Sequence, residues 1–445
     1  MFEILLIIYL FSGLAKSLLL SAGLQLPIDL TLLSGVLMFA AAAKDFIFEK
    51  NHLTDFFKDK LKLSIFSLLV LFYLWALFSL LNIPDINYPF VKAFYFLTIM
   101  LPVSLLFFRT KFNAKLFIKL FILFSFLFSQ VYFWLSPNAK YYLPQDQFHL
   151  NYIVLVGFGL ALSFKMGVAA LISLYYFKNK ILAVCVSYYF FFIIYYMAAR
   201  GTVFILLPVF LILIIAERKR IFSYLNTTLL AKKVGALIVL QIVLLIFIQI
   251  DENKKWTFDR ANYRTLLLLD AVGTKDNPES IASYLQEKRD EEAAVETGEK
   301  LISSSMNRSV FSRVWHIQHV IEVSTESFSN FMIGKGFGTY AYYCCGEDLL
   351  DYPHNILLEI LYELGIIGLI IFLAFIALIF IKVKQNKFVL MLFILCALFL
   401  FLNAMKSSSI VEIRDFFTFA AIIAFMEGSK SSSNNFLSRF KEKVK

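Results

Sequence analysis

The sequence predicts an all-α, polytopic membrane protein with about twelve transmembrane helices and one large extracytoplasmic loop. Three observations lead there. The 445-residue chain is 60% hydrophobic and only 17% charged, with a mean hydropathy of +0.75, and a water-solvated fold cannot hide so much apolar surface. Its apolar residues fall into runs near the bilayer length of about 20 residues, separated by polar punctuation. Its basic residues alternate from one side of those runs to the other.

The runs occupy residues 2–20, 26–43, 63–81, 89–108, 115–135 and 150–173, then 181–198, 202–216, 232–250, 355–381, 388–404 and 415–428. The first has no basic segment before it and no small-residue cleavage site after it, so it reads as a retained span. The seventh and eighth form a short pair joined only by Ala199, Arg200 and Gly201. The 51 Phe and 22 Tyr spread along the whole chain, as lipid-facing and packing surfaces do.

Orientation follows from the connections. Lys44, Lys50, Lys58, Lys60 and Lys62 lie on one side, followed by Arg109, Lys111 and Lys115, by Lys178 and Lys180, and by Arg218, Lys219, Arg220, Lys232 and Lys233. Lys382, Lys384, Lys387 and the basic tail 429–445 continue that side. The opposite connections carry only Lys140, Arg200, Lys406 and Arg414. The positive-inside rule then makes both termini cytoplasmic and places 251–353 outside, together with Arg200 and Arg414. The formal charge of +10 is thereby used in orientation, which speaks against nucleic acid as a partner.

The outer stretch is the one soluble segment large enough to fold. Residues 276–299 alternate charge like a solvated helix, and no chemistry attaches to them. From Asn307 to Ser324, Val310, Val314, Ile317 and Ile321 form one apolar stripe of an amphipathic helix expected to lie on the bundle. Arg308, Arg313, His316 and His319 would project from it near headgroup level. Then come Gly334-Lys335-Gly336-Phe337-Gly338, the adjacent Cys344 and Cys345, and Tyr352-Pro353-His354-Asn355 at the start of a helix. On a regular helix, His354, Leu361, Gly365 and Gly368 share one stripe whose glycines admit a close neighbour. Glu359 and Glu363 point the other way. Carboxylates at that depth suggest function, although pairing with a basic residue of a neighbouring span is the stronger reading.

Four ordered segments resemble the superfamily of O-antigen ligases and O-antigen polymerases: Arg200-Gly201, Ser312-Arg313-Val314-Trp315, Gly334 to Gly338, and Pro353-His354-Asn355 through Leu364-Gly365-Ile366-Ile367-Gly368. The resemblance covers roughly the second half of the chain. It implies an inverting, metal-independent glycosyltransferase without a cofactor, acting on polyprenyl-diphosphate-linked glycans at the outer face of a bacterial inner membrane. His354 would be the catalytic base, and Arg200 and Arg313 would hold the substrate diphosphate. Arg308 and Arg414 are second-line candidates from position alone. The implied partners are the lipid-linked donor, an acceptor that is either a lipid-linked repeat unit or a lipid A core, the membrane lipids, and a chain-length regulator as an optional addition.

Each residue has a plainer reading. Arg200 also reads as an interfacial anchor, though a lone arginine in a three-residue outer turn opposes the charge bias. Arg313 alone is an ordinary helix-surface charge, and His354 alone an ordinary helix N-terminal residue; the ordered set of motifs lifts both. His316 and His319 lack carboxylate or cysteine partners at metal-ligand spacing and are expected at the surface. The glycine-lysine segment lacks the Ser or Thr of a phosphate loop and is expected to be a tight turn. Adjacent cysteines close only a strained ring, and no disulfide framework is expected. Within the family, the Tyr-Pro-His-Asn wording and the stretch from Leu358 to Gly365 favour a polymerase, with a ligase as the alternative. A lipid-linked glycan flippase is the reading from another class, and it would show internal repeats and midplane binding groups.

Overall fold

The computed structural model describes residues 2–21, 28–48, 56–108, 112–135, 149–177, 179–197, 199–216, 227–250, 307–346, 351–383 and 388–426, with isolated residues between them. The expected acidic helix at 276–299 and the basic tail lie outside the described residues. Among the described residues every regular element is helical. The helices are α1 (Phe2–Ser21), α2 (Leu30–Phe48), α3 (Lys60–Ser79), α4 (Tyr88–Leu106), α5 (Ala114–Leu135), α6 (His149–Tyr176), α7 (Lys180–Tyr196), α8 (Arg200–Ala216), α9 (Thr227–Gln249), α10 (Asn307–Thr325), α11 (Phe328–Ile333), α12 (Tyr340–Cys345), α13 (Ile356–Val383), α14 (Phe388–Ser407) and α15 (Arg414–Met426).

Seven of these are long and apolar enough to cross a membrane, at Phe2–Leu20, Lys60–Ser79, Tyr88–Leu106, Ala114–Trp134, Phe158–Tyr176, Ile356–Ile381 and Leu390–Ser407. Four shorter apolar helices, Leu30–Ala41, Ile181–Tyr196, Arg200–Leu213 and Val234–Gln249, accompany them. The chain is an all-α membrane protein. Its outward faces agree with lipid as solvent: α3 exposes Leu71, Leu74 and Phe78, and α9 exposes Ile238, Val239, Ile242 and Ile246. A helix satisfies its own backbone, which is why this element alone builds the bundle.

Capping side chains mark several helix starts. Asp59 accepts from the Lys62 amide at the start of α3, and Asn179 accepts from Ile181 and Leu182 at the start of α7. The interior is filled by apolar side chains with a few buried ion pairs. Lys92 Nζ donates to Glu359 at 2.6 Å and to both oxygens of Glu363 at 2.7 Å, joining α4 to α13. These carboxylates are therefore paired with a neighbouring span, as the stronger reading expects. Lys165 of α6 pairs with Asp415 of α15.

Helix α13 departs from the sequence expectation in two places. It begins at Ile356, so His354 precedes the helix. It also breaks at Gly365 (φ 65°, ψ −172°), so His354, Leu361, Gly365 and Gly368 do not form one continuous stripe. The break frees carbonyls that lipid cannot satisfy. The Lys335 amide donates to the Tyr362 carbonyl at 2.9 Å, the Gly336 amide to Glu363 at 3.0 Å, and Trp75 Nε1 to Leu364 at 2.9 Å. The expected tight turn at 334–338 is thus the cap of a broken helix. Gly334 (φ 77°) and Gly365 lie so close to the facing segments that a Cβ on Gly334 would overlap the Glu363 backbone and one on Gly365 the Met332 backbone.

Helix α10 also presents a different face from the one expected. Of the expected stripe, Ile317 and Ile321 are exposed, Val314 is half-buried and the Val310 side chain lies outside the described residues, whereas His316, Val320 and Ser324 are buried. Counting apolar residues selected the wrong stripe because the inward face is built from histidine and tyrosine contacts.

Candidate active site

One end of the bundle gathers polar and titratable residues around His354. Asn355 caps α13, its Oδ1 accepting from the amides of Leu357 at 2.9 Å and Leu358 at 3.3 Å, while its carbonyl accepts from Glu359 at 2.9 Å. Buried Pro353 precedes the turn. Between them His354 takes φ 52°, the one positive φ of a non-glycine residue among those described. Such a conformation costs about 1 kcal/mol or more and persists where surrounding structure enforces it.

The imidazole of His354 sits between two rings, Tyr352 at 4.9 Å and His316 at 5.6 Å between centroids. His316, expected at the surface, is buried, and its Nδ1 shares a hydrogen bond of 2.5 Å with the Tyr340 hydroxyl. Tyr340 packs edge-on to Tyr362 of α13 at 5.0 Å, which ties α10 and α12 to the same helix. On the other side, the Tyr352 hydroxyl donates to Glu412 Oε2 at 3.2 Å, an oxygen that also accepts from the Ser409 amide at 3.0 Å. Ser409 Oγ and the Ile410 amide then donate to Glu359 at 2.6 and 2.9 Å. The buried Lys92 cluster therefore anchors both the start of α13 and the 408–413 turn beside His354.

Electrostatics define the site further. Burial pushes the His354 imidazole below its ordinary pKa; Asp351 opposes this shift, and the positive charges of Arg313 and Lys406 reinforce it. The neutral ring, the form that accepts a proton, is thereby favoured. Burial raises the Tyr352 and Tyr340 hydroxyls. Packing around the Glu412 carboxyl pushes its pKa up, although the residue as a whole is exposed.

Arg313, half-buried on α10, lies within electrostatic reach of His354 and of Lys406. Arg200 opens α8, which packs on α14, and its charge also reaches Lys406. Arg200, Arg313 and His354 thus belong to one neighbourhood with Lys406 at its centre. Arg414 is placed elsewhere: it donates to the Leu10 carbonyl at 2.9 Å and to Ser12 at 3.3 Å, and covers the Tyr9 ring at 4.7 Å. That placement gives it a role in holding α15 to α1. Arg308 stands in the first turn of α10, and its side chain lies outside the described residues.

Lys406, Tyr352, Glu412 and the buried His316 are neighbours of His354 or of its arginines that no sequence pattern singles out. For Lys406 a signal existed, since it is one of four cations on the side poor in them. Cys344 and Cys345 are bonded to one another, closing the ring between adjacent cysteines, while Cys185 and Cys396 are free thiols. No family model matches the chain, and no curated protein matches it.

Proposed function

We propose that this protein is a membrane glycosyltransferase of the O-antigen polymerase and ligase type, acting on a polyprenyl-diphosphate-linked glycan. The observation that supports this best is His354 held in a left-handed turn, favoured as the neutral base, in one neighbourhood with arginines contributed by α8 and α10. In the proposed reaction the acceptor hydroxyl gives its proton to His354 as its oxygen forms a bond to the anomeric carbon. The bond from that carbon to the diphosphate breaks, and its electron pair leaves with polyprenyl diphosphate. Arg200 and Arg313 bind the charge that develops on the leaving group; their planar forks suit phosphate oxygens and stay protonated near lipid. The reaction is inverting, and no metal has a role in it.

In this reading the twelve apolar runs are twelve spans, with the short α2, α7, α8, α9 and α15 among them. The termini are cytoplasmic and the site faces outward in a bacterial inner membrane. A polymerase is the leading form, extending a chain on a second lipid-linked repeat unit. The test is incubation of purified wild type and His354→Ala with a polyprenyl-diphosphate-linked repeat unit, with and without a lipid A core acceptor. A ladder from donor alone, absent in the variant, supports the polymerase. Product only with the core acceptor makes it a ligase. Translocation of the donor without transfer would replace the reading with a flippase.

A further inference from the structure

Lys406 raises a physical question. It ends α14, where a cation is favourable beside the helix C-terminus, and that alone would explain its charge. It does not explain where the side chain goes. Its aliphatic end and ammonium lie across Gly201 so closely that a Cβ on that residue would overlap Cε and Nζ. The ammonium is thereby set beside Arg200 and within electrostatic reach of Arg313. Among the described residues, neither Arg313 nor Lys406 forms an ion pair. Bringing Arg313 of α10 and Lys406 of α14 together in a half-buried place costs repulsion that an anion relieves.

We propose that Lys406, seated on Gly201, is the third cation of a site for two adjacent phosphate groups, and that it makes the site select a diphosphate over a monophosphate. The inference rests on the donor class named above. A single phosphate is satisfied by one arginine fork and a neighbour, whereas a diphosphate spreads its charge over two groups and needs cations on more than one side. Lys406 supplies a mobile point charge with three donors, complementing the planar forks of Arg200 and Arg313. Gly201 is the seat: only a residue without a side chain leaves the ammonium this path. The Arg200-Gly201 pair is then one device, in which the arginine binds and the glycine admits a second cation.

The experiment is equilibrium binding of farnesyl diphosphate, farnesyl monophosphate and inorganic diphosphate to the purified full chain in detergent. Wild type is compared with Lys406→Gln, Lys406→Arg and Gly201→Ala. The expected result is that wild type prefers farnesyl diphosphate to the monophosphate, and that Lys406→Gln weakens the diphosphate about tenfold or more while changing the monophosphate little. Lys406→Arg keeps part of the preference. Gly201→Ala keeps every charge and displaces the ammonium, so it follows Lys406→Gln, and it remains readable if Lys406→Gln fails to fold. Equal diphosphate affinity in wild type and Lys406→Gln, or equal losses for both farnesyl ligands, overturns the proposal. A Lys406-dependent signal with inorganic diphosphate but none with farnesyl diphosphate overturns its lipid-linked part. Binding is read without turnover, so a wild type that binds selectively but transfers nothing sinks the glycosyltransferase reading and leaves this one standing.

Discussion

The ammonium of Lys92 is shared between Glu359 and Glu363, one turn apart on α13, at 2.6 and 2.7 Å and fully enclosed by protein. Buried charges of this kind are stable only together, since each carboxylate left alone has lost water without gaining a partner. Lys92→Met is expected to destabilise the fold by about 3–5 kcal/mol, seen as a fall in melting temperature in detergent. The triple variant Lys92→Met, Glu359→Gln, Glu363→Gln should recover much of the loss. A single variant that melts like wild type would remove the anchoring role given to this cluster.

The break of α13 carries its own test. Trp75→Phe keeps the packing surface but withdraws the donor to the Leu364 carbonyl, which costs about 1–3 kcal/mol where the acceptor is buried. Gly365→Ala is expected to be far worse, because it adds a Cβ against the Met332 carbonyl at a φ of 65°. Thermal melts that rank Gly365→Ala as milder than Trp75→Phe would contradict the capped-break geometry.

At His354 the backbone and the chemistry make opposite demands. Glycine tolerates φ 52° and alanine does not, so His354→Gly should be more stable than His354→Ala by roughly 0.5–1 kcal/mol, with both inactive. Chemical denaturation of the two variants measures the difference. Equal stabilities would mean that the left-handed turn is not enforced.

The pH dependence has a definite sign. His354 is held below its ordinary value of about 6.5, mainly by burial, so the neutral base persists as pH falls and the acid limb of the transfer rate should lie below 6.5. Asp351 is the negative charge that opposes this shift. Asp351→Asn should therefore move the acid limb lower still. A limb that moves upward in the pH–rate profile would assign the titration to another group.

The all-α membrane class is legible in the sequence because span length and apolar content are local properties. The break at Gly365 is not, because its three carbonyl partners come from Trp75 and from Lys335 and Gly336, and helical arithmetic assumes an unbroken rod. The buried face of α10 is not legible for a related reason: His316 goes inward to reach Tyr340, while Ile317 and Ile321 stay exposed. At the site, Arg200, Arg313 and His354 stand in recognisable segments. Lys406 has no motif around it, and its importance appears only when α14 is laid against α8.

In the proposed reaction this chain breaks the bond between a glycan and its lipid diphosphate with His354 as the base. The most direct measurement is the release of polyprenyl diphosphate from the native lipid-linked donor by purified wild type and His354→Ala, with acceptor present and a chelator in the buffer. Wild type is expected to release it in step with glycosidic bond formation, with inverted anomeric configuration, and the variant to lose about 100-fold or more. Equal release by the variant, or none by wild type, would contradict it.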